Sequence, residues 1–209
     1  MRDMREIVKK GYEEGDYLEF YRLDEEIDEY PLAKANIDRM TAFLQKGAKI
    51  LDLGCGPGIP YDKYLAEQDF RITGVDFVQK HIDWAKEHVP EATFIQKDIA
   101  ELDFNGRLFD AILSLYTIFH IPRQEHRDLF LNMHRTLKDD GLLLVTMGTG
   151  CEDEMEVCDF IGSEMVWSSY PLEENLTLVE DCGFEIVHWE EEGEKGLPEH
   201  HLWVLARKK

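Results

Sequence analysis

The chain has 209 residues, of which 44 are Asp or Glu and 23 are Lys or Arg, giving a formal net charge of −21. That length suits one domain with a sizeable core, and the acidic excess argues against a DNA or RNA partner, because binding a phosphate backbone needs clustered cations. The four cysteines, Cys55, Cys151, Cys158 and Cys182, include no C-x-x-C pair, the start MRDMREIVKK is charged where a signal peptide is apolar, and no apolar run approaches a membrane span; a cytoplasmic protein with no membrane partner and no metal centre is expected, its oligomeric state unknown.

Residues 1–47 read as helical. Upstream, GYEEGDYLEFYRLDEEIDEYP interleaves Tyr12, Tyr17, Phe20, Tyr21 and Tyr30 with acids, a pattern suited to an amphipathic cover over an apolar site. Pro31 then opens a segment whose Leu32, Ile37, Met40, Phe43 and Leu44 roughly follow a 3.6 period until Gly47. Next comes KILDLGCGPGIP, Lys49 to Pro60: a β-branched and apolar run ending at Asp52, glycines at 54, 56 and 58, and Pro60 placed for the first turn of a helix. From there strand and helix alternate: YDKYLAEQ, RITGVDF, VQKHIDWAKEHV, ATFIQ, FDAILSLY, RQEHRDLFLNMHRTLK, a turn at Asp139, Asp140 and Gly141, and LLLVTM. Such alternation predicts parallel βαβ units with helices on both faces. Ile82, Ala85 and Val89, and later Leu129, Phe130, Met133 and Leu137, form the inward helical stripes. Residues 149–171, TGCEDEMEVCDFIGSEMVWSSYP, break the rhythm and read as a substrate-facing loop. LEENLTLVEDCGF is a helix ending at Gly183, and two strands close the chain across a polar connection.

The glycine turn brings bare backbone to a strand tip at the start of a helix, where a ligand can meet main-chain N–H groups. The spacing is G-x-G-x-G with Asp52 two residues ahead, unlike the G-x-G-x-x-G of a dinucleotide site, and no Lys-Ser or Lys-Thr of a P-loop follows. A carboxylate there repels a pyrophosphate and attracts a cation, which favours an ammonium or sulfonium ligand. An NAD-dependent oxidoreductase is thereby disfavoured.

LDLGCGPG resembles the first motif of the class I S-adenosylmethionine-dependent methyltransferases, and the likeness continues in order through Asp76 in TGVDF, Asp98 in QKDIAEL, FDAILSLYTIFHIP, GLLLVTM and the closing GFEIVHWEEE and HHLWVLARK. The resemblance implies a Rossmann-like, doubly wound α/β fold: a mostly parallel seven-stranded sheet with an antiparallel last strand and an N-terminal helical lid. Residues 1–47 would be that lid, 48–148 the cofactor-binding core, 149–171 a substrate-facing insertion, and 172–209 the closing helix and strand pair of a single domain. It further implies that S-adenosylmethionine is the cofactor, leaving as S-adenosylhomocysteine, and that a small-molecule nucleophile is the methyl acceptor.

On that likeness Asp76 accepts the ribose hydroxyls, Asp98 and the Ile99 N–H meet the adenine, and Gly54, Gly56 and the carbonyl of Leu115 hold the methionine end, oriented by Asp52. Cys55, Gly58 and Phe77 lie along the cofactor, while Tyr17 and Tyr21 line the site from the lid. His120 and Tyr116, after the fourth strand, are the catalytic candidates, since a histidine titrating near neutrality can take an acceptor's proton. LYTIFHIP stands where nucleic-acid amino methyltransferases carry N/D-P-P-Y, and no acid cluster of the metal-dependent catechol type is present. The competing reading from another class is a protein that binds S-adenosylmethionine or S-adenosylhomocysteine without turnover.

Overall fold

In a computed structural model the described residues are 3–15, 17–20, 26–101, 106, 108–150, 156–160, 162–193 and 200–209. Nine strands and seven α-helices are described: α1 Met4–Glu14, α2 Tyr17–Phe20, α3 Pro31–Thr41, β1 Lys49–Leu53, α4 Tyr61–Glu67, β2 Arg71–Asp76, α5 Gln79–His88, β3 Thr93–Gln96, β4 Phe109–Ser114, α6 Arg123–Thr136, β5 Leu137–Gly148, β6 Glu156–Phe160, β7 Ser163–Trp167, α7 Leu172–Asp181, β8 Phe184–Glu192 and β9 His201–Lys208.

Seven strands form one sheet in the order β3-β2-β1-β4-β5-β9-β8. The pairs among β3, β2, β1, β4 and β5 are parallel, and β9 runs antiparallel between β5 and β8. The chain therefore starts in the middle of the sheet, winds outward through β2 and β3, and returns to the other side of β1 at β4. That reversal leaves a crevice beyond the carboxyl ends of β1 and β4, where open α/β sheets bind ligands.

The alternation of side chains along each strand builds a core on both faces. Ile50, Ala111 and Leu113 pack with Ile37 and Met40 of α3 and Leu65 of α4. Leu51, Leu53, Ile112 and Val145 point the other way, against Leu129, Phe130 and Met133 of α6 and Val179 of α7. The predicted stripe Ile82, Ala85 and Val89 is buried against Phe94.

Two details differ from the sequence expectation. α6 stops at Thr136, and Leu137 to Gly148 are assigned as strand in place of a helix end and a separate turn. Leu137 is fully buried opposite Phe109, and the register slips before Leu142 while Asp140 adopts φ 59°; an acid that tolerates the left-handed region makes this bulge in the way it would make a turn. Residues 149–171, expected as a loop, contain the antiparallel hairpin β6–β7. Met165 and Val166 of β7 are buried beside Met4 and Val8 of α1, so the N-terminal helix and the hairpin form a second layer over the strand tips.

Candidate functional site

The turn after β1 is tied to β2 by its own backbone, Gly54 N and Cys55 N both donating to the Val75 carbonyl at 2.8 and 3.0 Å. Gly54 lies at φ 83° and Gly56 at 53°, conformations that glycine adopts without strain. A Cβ on Gly54 would overlap the Thr117 side chain, whereas one on Gly56 would meet only the Tyr17 hydroxyl, 3.8 Å away. Gly54 is thus required by packing; Gly56 presents open backbone to the crevice. Gly58 packs on the Phe94 ring. At the end of β2, Asp76 is 7% exposed. Its carboxylate accepts from the Gly56 N–H at 3.0 Å and from the Val78 N–H at 2.8 Å, which fixes it at the mouth of the turn.

Beneath the turn lie two more acids. Asp52 is 3% exposed and Asp62, in the first turn of α4, 0%, and Asp52 Oδ1 and both Asp62 oxygens are buried without a hydrogen-bond partner. Burial pushes Asp52 up to about 7, and burial, then the charge of Asp52, pushes Asp62 well above the usual carboxylate range. Burial likewise raises the neighbouring Cys55 thiol, with the three surrounding carboxylates adding to the effect.

Along β3, Asp98 accepts from the Ala100 N–H at 2.9 Å and faces the Arg5 guanidinium, Nε 3.9 Å away. Ile99 is buried in the core beside it. A cleft of about 220 Å³ opens here, lined by Arg5, Lys9, Phe77, Gln96, Lys97 and Asp98; Phe77 packs against the α1–hairpin layer.

At the β4 tip, the Leu115 carbonyl accepts from the Thr117 hydroxyl at 3.0 Å. Tyr116 takes φ 52° and donates its hydroxyl to Glu192 at 2.8 Å, away from the glycine turn toward the β8–β9 side. His120 is 8% exposed, with Nδ1 3.1 Å from the Val166 carbonyl and Nε2 2.9 Å from the Tyr12 hydroxyl. A carbonyl can only accept, so Nδ1 carries the proton and the Nε2 lone pair receives the Tyr12 O–H. Burial lowers this histidine to about 4, correcting the expectation of a group titrating near neutrality.

A family model described as a methyltransferase domain matches residues 50–141, spanning β1 to the start of β5. Over that segment the chain is similar to methyltransferase domains. The chain is 25% identical to a sterol 24-C-methyltransferase of Neurospora crassa over 178 residues, covering 78% of this chain and 46% of that one. It is 30% identical to a ubiquinone biosynthesis O-methyltransferase of Rickettsia conorii, covering 54% of this chain and 39% of that one. The chain therefore spans less than half the length of either curated relative. Among solved structures, magnesium protoporphyrin IX methyltransferase from Synechocystis PCC 6803 shares the fold, with TM-score 0.75 at 15% identity, over 100% of this chain and 99% of that one.

The structure brings Asp52, Gly54, Cys55, Gly56, Gly58 and Asp76 to one strand-tip crevice, with Leu115 and His120 on its β4 side and Phe77, Asp98 and Ile99 at its β3 end. Tyr21 lies outside the described residues. Sequence reasoning missed Asp62, His81 and the contact of Tyr12 with His120. The heptapeptide spacing of an acid behind the glycine turn could have flagged Asp62, but Tyr12 and His120 are 108 residues apart, and no local pattern links them. Among the described residues no helix is long and apolar enough to cross a membrane, and no group of three or more His, Cys, Asp or Glu could hold a metal.

Proposed function

We propose that the protein transfers the methyl group of S-adenosylmethionine to a small-molecule nucleophile by in-line displacement. The observation that carries this reading is the Asp76 carboxylate held 3.0 Å from the Gly56 N–H at the switch between β1 and β4, an acceptor for a ribose set against open backbone for the methionine end. Bound cofactor supplies a methyl already activated by the sulfonium charge. The residues have to bind, orient and keep water out, and proximity in a dry site can contribute up to about 7 to 11 kcal/mol. Asp76 takes the ribose, Asp98 and the Ile99 N–H the adenine beside the cleft, and Gly54, Gly56, Leu115 and Asp52 the methionine end, with Cys55, Gly58 and Phe77 along its length. α1 and α2 serve as a lid carrying Tyr17, while α3 stays in the core through Ile37 and Met40, and residues 149–171 supply acceptor contacts.

His120 faces the acceptor side. At about 4, its imidazole is protonated only about one part in a thousand at pH 7, and both ring nitrogens are engaged by the Val166 carbonyl and the Tyr12 hydroxyl, so it suits seating Tyr12 beside the site better than storing a proton. Tyr116 acts from behind, held on Glu192. The acceptor class is small molecules, in keeping with a surface of net charge −21 that offers little to nucleic acid. A screen with methyl-labelled S-adenosylmethionine against phenols, thiols, amines and carboxylic acids tests the reading: label should enter at least one class in stoichiometry with S-adenosylhomocysteine. Tight cofactor binding with no transfer to any class would leave the non-catalytic alternative standing.

A further inference from the structure

The first turn of α5 buries an imidazole whose hydrogen-bonding capacity goes unused. His81 is 2% exposed, and neither ring nitrogen makes a hydrogen bond. Its Nδ1 stands 3.5 Å from Asp76 Oδ1. The Tyr17 ring lies against it at 5.0 Å between centroids and the Tyr12 ring at 5.8 Å. Val78, Ile82 and Ala85 around it are fully buried and apolar, so a methionine or leucine at 81 would fill the same space without stranding two polar atoms. Buried polar groups without partners are rare, because desolvation is left uncompensated, and one that borders a crevice points to an absent partner. His81 borders the crevice on three counts: Asp76 is beside it, Asp76 holds the Gly56 N–H, and Tyr17, whose ring lies against it, directs its hydroxyl toward Gly56.

Resting on the reading that an adenosyl cofactor lies here, we propose that His81 is a cofactor-binding residue that grips the ribose diol jointly with Asp76. The division of labour follows from donor and acceptor count. The carboxylate only accepts, and each of its oxygens already takes one backbone N–H. Two ribose hydroxyls that spend their protons on it are left with oxygen lone pairs and no donor. A neutral imidazole brings one N–H and one lone pair, which supplies the donor that the acid lacks and satisfies the ring. The pair thereby reads the ribose as a diol, not merely as one hydroxyl.

Calorimetric titration of S-adenosylhomocysteine and its 2′-deoxy and 3′-deoxy analogues into the full chain, His81→Phe and His81→Gln tests this. His81→Phe should weaken S-adenosylhomocysteine by about 10-fold, while His81→Gln, which keeps a donor and an acceptor, stays within about threefold of the parent. For the analogue lacking the hydroxyl that His81 touches, the parent and His81→Phe should bind alike. Thermal melts of both variants establish that they fold; if His81→Phe does not, the glutamine variant must still discriminate the two analogues as the parent does. Equal loss of all three ligands in His81→Phe, or no loss at all, overturns the proposal and leaves the cofactor reading intact. Failure of the parent to bind S-adenosylhomocysteine overturns both.

Discussion

The most consequential single residues are acids that sit where solvent cannot reach them. Asp52 and Asp62 are buried under the glycine turn, and burial holds both carboxyls above the usual carboxylate range. The sign follows from linkage: such groups contribute stability in full below the unfolded value near 4, and lose it as pH rises through the folded value of about 7. Asp62→Asn removes one charge while keeping a donor for Asp52, so it should raise the melting temperature of the unliganded protein at pH 8 by about 2 to 4 °C for each kcal/mol relieved. The gain should shrink toward zero near pH 4. Differential scanning calorimetry of both proteins at the two pH values checks this, and a gain that does not depend on pH would mean that the substitution relieves no buried carboxylate charge. Asp76 differs from its neighbours because two backbone N–H groups reach its carboxylate, and hydrogen bonds to a charged acceptor are the stronger kind.

At the level of elements, α1 is held by specific contacts on every side. Asp3 caps it by accepting from the Arg5 N–H, Arg5 pairs with Glu125, and Lys80 of α5 donates to the carbonyls of Glu13 and Gly15 at 3.0 Å each. A cation at the last carbonyls complements the helix dipole. Gly11 lets the helix lie directly on β7, where an added Cβ would stand 3.0 Å from the Glu164 carbonyl and overlap the Met165 sulfur. Gly11→Val should therefore cost about 1 to 3 kcal/mol of docking. Hydrogen exchange should show protection of residues 4–14 falling by about 5- to 150-fold, with β1, β4 and β5 unchanged. Retained protection in α1 would show that the helix is fixed by its polar contacts alone. The element that sequence could not foresee is the hairpin: Met165 and Val166 are consecutive and both fully buried, because β7 lies between α1 and the strand tips, and burial on both faces erases the alternation by which a half-exposed strand is read.

For the whole molecule, the order of the sheet was legible because the parallel strands are short, largely apolar runs, β1 closing at Gly54 and β2 at Asp76, and the helices between them carry one clean stripe. Ile82, Ala85 and Val89 needed no tertiary information to be placed inward. The end of α6 was misplaced because Lys138, Asp139 and Asp140 have no periodicity, and the pairing of Leu137 with Phe109 decides that they belong to a strand. The glycine turn and Asp76 were legible as a site because a backbone conformation demands those residue types locally. His81 and the Tyr12–His120 contact were not, since their meaning comes from chain segments brought together across the sheet.

The central claim is that an adenosyl methyl donor is held by Asp76 across the tips of β1, β2 and β4. Isothermal titration of S-adenosylhomocysteine into the parent chain and Asp76→Ala examines it directly. One ligand per chain should bind the parent, and loss of a charge-assisted pair of about 1.5 to 3 kcal/mol should weaken the variant by about 10- to 150-fold while its melting profile stays cooperative. Equal affinities for the two proteins, or no heat of binding with the parent, would contradict the account.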